Sequence, residues 1–209
     1  MKPALLCIDL QHLFASPDGG FFTGGGLGSF DESEQTYYFT TLEQSVLPNI
    51  QRLQAVFRDK GIEVIHIRTR SKTRDGRDRT YWHKKRDLHS TPGSQEAEFI
   101  DSVAPHGDEV IVNKTGSGPF GNSVLQAHLH QLGISQLYCC GVFTDESVES
   151  TIRAAADYGY CPILIADATA TASEQLQLEC IERLNGRFCE VADTKGLVED
   201  LQQHLRSVS

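Results

Sequence analysis

Residues 136–166 read QLYCC GVFTDESVESTIRAAADYGY CPILIA. An apolar run at Gln136–Cys140 gives way to a segment in which Val148, Thr151, Ile152 and Ala155 recur at helical spacing as far as Tyr158. Gly159 ends that segment, and a second apolar run, Pro162–Ala166, follows. Continuous runs of this kind are the pattern of strands buried on both faces, and a helix between two of them is the crossover of a parallel pair. Working outward, further runs lie at Ala4–Ile8, Ile62–Ile67 and Glu109–Val112, with a weaker one at Arg187–Val191. Leu47, Ile50, Leu53, Val56 and Phe57 form a helical stripe that stops at Lys60-Gly61, and Val124, His128, Leu129 and Leu132 form another that stops at Gly133. A basic last turn and a following glycine are helix C-terminal signals. The alternation predicts a three-layer α/β/α fold with a six-stranded, mainly parallel sheet.

The 209 residues suit one domain, here taken as residues 1–209, with loop insertions near 17–30 and 68–93. Hydrophobic residues at 39% supply enough material for a core without staples. With 19 Lys and Arg against 28 Asp and Glu, the formal charge is −9. That balance argues against nucleic acid and against anionic membrane surfaces as partners. No stretch approaches the length of a bilayer span, and the amino terminus meets Asp9 before a signal-peptide core can develop. The six cysteines contain no C-x-x-C pair and several sit in apolar runs, so a reduced, cytoplasmic protein is expected.

In an open α/β sheet, ligands bind where strands end at their carboxyl edge. Asp9 closes the first run, Lys114 closes the third, and Ser147 lies just beyond the fourth at the start of a helix, whose amide groups favour negative charge. A carboxylate, an ammonium and a hydroxyl could therefore meet; the alternative is three unrelated residues at strand ends. Gly116 to Gly121 fits G-x-G-x-x-G, but the next run ends Tyr138-Cys139-Cys140-Gly141 without the acid a dinucleotide site needs. Asp87, His89 and His83 are metal-ligand types set in a basic loop, where solvated side chains are the better reading; His128 and His130 cannot share a helix face. Cys139 and Cys140 lie inside a strand and read as inert core thiols.

The chain resembles the isochorismatase-like cysteine hydrolases. The resemblance rests on Asp9, Gln11 and Phe14 after the first strand, on Val112-Asn113-Lys114, and on residues 141–160, which match Gly-Val-x-Thr-x-x-Cys-Val-x-x-Thr with Ala-x-x-x-Gly-Tyr. It implies an isochorismatase-like, Rossmann-like fold and an Asp9–Lys114–residue 147 triad that hydrolyses a C–N bond in a small amide or ureido compound through a thioester. It also implies a cis peptide at Val142–Phe143, with the backbone N–H groups of Phe143 and residue 147 receiving the oxyanion. The nucleophilic Cys of the family falls on Ser147. A serine hydroxyl is far weaker than a thiol beside a cation and normally relies on a base such as His. An inactivating Cys-to-Ser substitution is the favoured explanation. Natural Asp/Lys acid–base chemistry on a vinyl ether, as in isochorismatases proper, and an inactive binding protein both stay open.

The metal-binding Asp-x-His of related nicotinamidases is replaced by Arg68-Thr69-Arg70, so neither metal nor cofactor is expected. Candidate substrate-binding residues are Gln11, Phe14, Arg70, which could hold a carboxylate in a bidentate pair, and Trp82, an aromatic wall with Tyr81. The glycine-rich segment 17–30 reads either as a lid carrying Phe21 and Phe22 or as a mobile insertion. The expected partner is a small-molecule substrate, with assembly as a homodimer or homotetramer implied by the resemblance.

Overall fold

A computed structural model describes residues 1–203. Six strands, β1 (Pro3–Ile8), β2 (Glu63–Thr69), β3 (Val110–Lys114), β4 (Gln136–Val142), β5 (Cys161–Ala170) and β6 (Glu190–Ala192), form one sheet in the order β3-β2-β1-β4-β5-β6. All five pairings are parallel. The helices among the described residues are α1 (His12–Ala15), α2 (Gly20–Thr23), α3 (Glu32–Thr41), α4 (Leu47–Asp59), α5 (Tyr81–Lys85), α6 (Leu125–Gln131), α7 (Glu149–Asp157), α8 (Glu174–Leu184) and α9 (Thr194–Gln203).

Strand β1 is apolar throughout because both its faces are covered. Leu5 and Cys7 enter one core with Ile50, Leu53 and Phe57 of α4 and Leu197 and Val198 of α9. Ala4, Leu6 and Ile8 enter the other, with Leu125 and Leu129 of α6, Ile152 and Ala155 of α7 and Cys180 and Leu184 of α8. Each fully buried large aliphatic or aromatic side chain contributes roughly 1.5–3 kcal/mol, so this two-sided burial specifies the layering. Helix α4 stops where expected, with Gly61 at φ +61° after Lys60.

Several boundaries differ from the sequence reading. Strand β6 is three residues long, and β5 runs on to Ala170 through a register shift opposite Cys139–Gly141. Val124 precedes α6 rather than joining its buried stripe and is 56% exposed. A wide, five-residue turn at Thr144–Val148 precedes α7, whose buried stripe ends at Ala155 and leaves Tyr158 half-exposed. Within segment 17–30, Phe21 and Phe22 are buried in the core, whereas Thr23, Gly24, Gly25, Leu27 and Gly28 are exposed.

This topology sets the site. The chain moves outward from β1 through β2 to β3, then crosses back to place β4 on the other flank of β1. The carboxyl ends of β1 and β4 are thus the point where the winding reverses, which is where open α/β sheets open a crevice. Asp9 follows β1, Lys114 ends β3 and Ser147 follows β4.

Candidate active site

Asp9 sits at φ +53°, in the left-handed region that Asp visits more readily than most residues. It is 1% exposed, and four hydrogen bonds satisfy its carboxylate. The Thr69 backbone N–H donates to Oδ1 at 2.9 Å and the Thr69 hydroxyl to the same oxygen at 3.2 Å. Oδ2 accepts from Lys114 Nζ at 2.8 Å and from Ser147 Oγ at 2.6 Å. Lys114 is completely buried, and its ammonium donates to Asp9 Oδ2, to Thr69 Oγ1 at 2.8 Å and to the Gly116 carbonyl at 3.0 Å. Those three partners use its three N–H bonds, and Nζ lies 3.3 Å from Ser147 Oγ as well. A buried ion pair is tolerable only when its remaining lone pairs and protons are met in this way.

Ser147 stands in the wide turn Thr144–Val148 with 6% of its surface exposed. The turn is fixed by Glu146 N–H and Val148 N–H donating to the Phe143 carbonyl at 3.1 and 3.2 Å, and by the Thr151 hydroxyl donating to the Ser147 carbonyl at 2.6 Å. The Val142–Phe143 peptide is cis. The Phe143 ring is held by an aromatic cluster, with centroids of Phe21 and Phe30 at 4.8 Å, Tyr38 at 5.2 Å and Phe14 at 5.6 Å. Burial, and secondarily the charge of Asp9, push the Tyr38 phenol well above its ordinary pKa; its hydroxyl donates to the Phe14 carbonyl. Chemically, this arrangement offers a proton acceptor, a fixed cation and a group to be deprotonated within one hydrogen-bonded triangle.

The isochorismatase domain model matches residues 3–196. This chain belongs to that family. Ureidoacrylate amidohydrolase RutB of Serratia proteamaculans is 28% identical, with 96% of this chain and 83% of the relative covered. A cysteine hydrolase from Pseudomonas syringae pv. phaseolicola superposes with a TM-score of 0.79 at 22% identity, covering 97% of this chain and 93% of that one. N-carbamoylsarcosine amidase from Thermoplasma acidophilum superposes with a TM-score of 0.68 at 21% identity, covering 93% and 97%. At these identities the superpositions establish the isochorismatase-like fold.

Around Asp9, Lys114 and Ser147 of this isochorismatase-family chain, two residues expected to contact substrate are engaged within the protein. Gln11 is fully buried and its amide is spent: Nε2 donates to the Thr69 and Glu96 carbonyls at 2.9 and 2.8 Å, while Oε1 accepts from Thr69 N–H at 2.7 Å. It brackets Thr69, which itself holds Asp9 and Lys114. Phe14 is 5% exposed and packs edge-on against Phe143 within the aromatic cluster, so it buttresses the Phe143 turn from behind. Trp82 is 66% exposed on α5 beside Tyr81. Arg70 lines a pocket that none of Asp9, Lys114 and Ser147 lines.

His83, which the sequence reading places as a solvated loop residue, is 5% exposed. Burial first, then the charges of Lys114, Arg86 and Arg79, lower its pKa to about 4, so the imidazole is neutral at pH 7. Its helix, α5, is capped by Thr80, whose methyl group faces Gly116, the residue whose carbonyl holds Lys114. Arg86 anchors the end of the same helix: it pairs with Glu146, the neighbour of Ser147, at 2.9 Å and lies 5.5 Å over the Phe21 ring. Asp87 and His89, by contrast, pair with each other on the surface. No group of three or more His, Cys, Asp or Glu side chains converges to hold a metal ion among the described residues.

Burial raises the Cys139 thiol far above its usual range, and a hydrogen bond with Cys7 together with burial does the same to Cys140. Thiols raised in this way are poor nucleophiles. The segment Gly116–Gly121 follows β3 as a loop, and its Gly116 carbonyl serves Lys114.

Proposed function

We propose that the chain is built to hydrolyse a C–N bond in a small amide or ureido compound through Asp9, Lys114 and position 147. The observation that carries this reading is the shared Asp9 Oδ2, which takes both the Ser147 hydroxyl at 2.6 Å and the Lys114 ammonium at 2.8 Å. With a thiol at position 147, Asp9 accepts the S–H proton and Lys114 stabilises the thiolate. Sulfur attacks the carbonyl carbon, the C–N bond breaks, the amine leaves with the proton held by Asp9, and water hydrolyses the thioester. The backbone N–H groups of Phe143 and residue 147 are assigned to the oxyanion. The names of the relatives, a ureidoacrylate amidohydrolase and an N-carbamoylsarcosine amidase, suggest the substrate class.

Ser147 is the weak element of this machine. Among the described residues its hydroxyl has a carboxylate as its base, whereas serine nucleophiles ordinarily rely on an imidazole. In this reading the serine form is a low-activity or inactive version of a cysteine hydrolase. A reduced compartment fits the same reading, since all six cysteines are free thiols.

Replacing Ser147→Cys and following ammonia release from ureidoacrylate and N-carbamoylsarcosine tests the reading. Turnover in the substituted chain, with a thioester trapped at position 147, supports it. Isochorismate cleavage by the serine form, with no amide turnover in the cysteine form, replaces it with acid–base cleavage of a vinyl ether. Absence of turnover in both forms leaves a binding role.

A further inference from the structure

A pocket of about 450 Å³ opens at the edge of the sheet, between the chain leaving β2, the exposed edge strand β3 and residues 121–124. That volume suits a small ligand. Its polar lining includes Arg70, Lys72, Asn113, Thr115, Asn122 and Ser123, and no carboxylate lines it. We propose that this pocket binds a small organic anion, a carboxylate or phosphate head on a body of a few carbons, at a site distinct from the triad.

Three observations support the assignment. First, Arg70 Nε is buried and has no hydrogen-bond partner. The protein thus gives this part of the guanidinium no acceptor, and the terminal nitrogens, which are not buried in the same way, are the ones an anion in the pocket can reach. Second, neither the Arg70 nor the Lys72 side chain takes an ion pair or hydrogen bond among the described residues, in a chain of formal charge −9. Arg68 and Arg86, by contrast, are satisfied, Arg68 by Asn113 Oδ1 at 2.8 Å and the Ala97 carbonyl at 2.6 Å, and Arg86 by Glu146. Asp78, the nearby acid, is occupied with the Lys72 and Thr73 backbone N–H groups and the Thr73 hydroxyl.

Third, the neutral lining matches an anion with an apolar body. Among the described residues the Asn113 amide donates no hydrogen bond, its oxygen being engaged by Arg68, and the Thr115 hydroxyl is unengaged. Ile111, 41% exposed, and Val124, 56% exposed, give the pocket two apolar walls. The pocket also adjoins the machinery without sharing it. Arg70 N–H donates to the Lys114 carbonyl at 2.8 Å, and Thr115 follows Lys114 in the chain.

Titration calorimetry of the full chain with inorganic phosphate and with butyrate, at constant ionic strength, tests the proposal. The expected result is saturable binding at one site per chain. Binding should weaken by about tenfold or more in Arg70→Gln and in Lys72→Gln, and keep its strength in Ser147→Ala. Butyrate favoured over phosphate identifies a carboxylate head, and the reverse order a phosphate head. Circular dichroism melting confirms that each variant is folded. The proposal is overturned if neither probe binds saturably, or if binding survives both cation substitutions. It is overturned equally if binding is lost in Ser147→Ala, which places the anion at the triad. Should Lys72→Glu dissociate an oligomer in ligand-free solution, the pocket is an interface between copies and the proposal fails.

Discussion

The Ser147 hydroxyl donates to Asp9 Oδ2 across 2.6 Å, and that oxygen is the one Lys114 Nζ reaches at 2.8 Å. One carboxylate oxygen thus lies between the group to be deprotonated and the cation that compensates it. If Asp9 takes the proton, Asp9→Asn in a Ser147→Cys background should lower kcat by about 10²–10⁴ with little change in KM. Steady-state ammonia release measures this. Alkylation of the introduced thiol should also slow in the Asp9→Asn background at pH 7; equal rates with and without the carboxylate would remove Asp9 from the role of base.

Lys114 and Asp9 are also a stability element, because both side chains are out of water. Removing one partner of a buried pair leaves an uncompensated charge, at a cost of about 3–5 kcal/mol. Lys114→Met should therefore lower the urea midpoint sharply, and adding Asp9→Asn to it, which removes the stranded charge at a position of φ +53°, should restore a substantial part. A double-mutant cycle reads the coupling directly. Additive losses would mean that the two charges are held independently.

Strand–helix alternation made the layering legible, since apolar runs such as Ala4–Ile8 carry their burial in their composition. The convergence of Asp9, Lys114 and Ser147 was legible for the same reason: each lies at a strand end, and parallel topology brings such ends to one edge. Roles decided by hydrogen-bond partners were not legible. Gln11 looks like a substrate contact in a motif, yet its amide is consumed by Thr69 and Glu96, 58 and 85 residues away in sequence. His83 sits in a basic, polar stretch whose composition predicts solvent exposure, yet on α5 it is 5% exposed. The burial of Phe21 and Phe22 was not legible either, because glycine density signals a loop but says nothing of where its aromatic residues go; here they pack around Phe143.

Gly141 joins the two halves of the site. It pairs with Ile8 across β1 and β4, just before Asp9, at φ +118°. A Cβ there would overlap the Ile8 carbonyl oxygen and lie 2.7 Å from the Ile8 nitrogen, backbone atoms at the middle of the sheet. Gly141→Ala combines forbidden backbone conformation with a steric conflict that no side-chain rotation relieves. The expected loss exceeds about 4 kcal/mol, in the exceptional range for one substitution. Thermal unfolding and soluble yield check this, and a loss below about 1 kcal/mol would show that the strands separate easily at this point.

His83 gives the chain an acid-side sensitivity with a defined window. Its folded-state pKa, about 4, lies below the ordinary 6.5, so between these values the unfolded chain binds the proton and the folded chain does not. Stability therefore falls as pH drops from about 6.5 to 4, by up to about 3 kcal/mol for this group. His66, also lowered, chiefly by burial, loses stability in the same direction. Glu109 and Asp78, held near 2, lose theirs at lower pH. His83→Gln should accordingly flatten, without abolishing, the decline in urea stability from pH 6.5 to 4.5, and leave the slope above pH 7 unchanged. If the variant and the parent lose stability in parallel through that interval, the imidazole is not desolvated beside Lys114 as the structure describes.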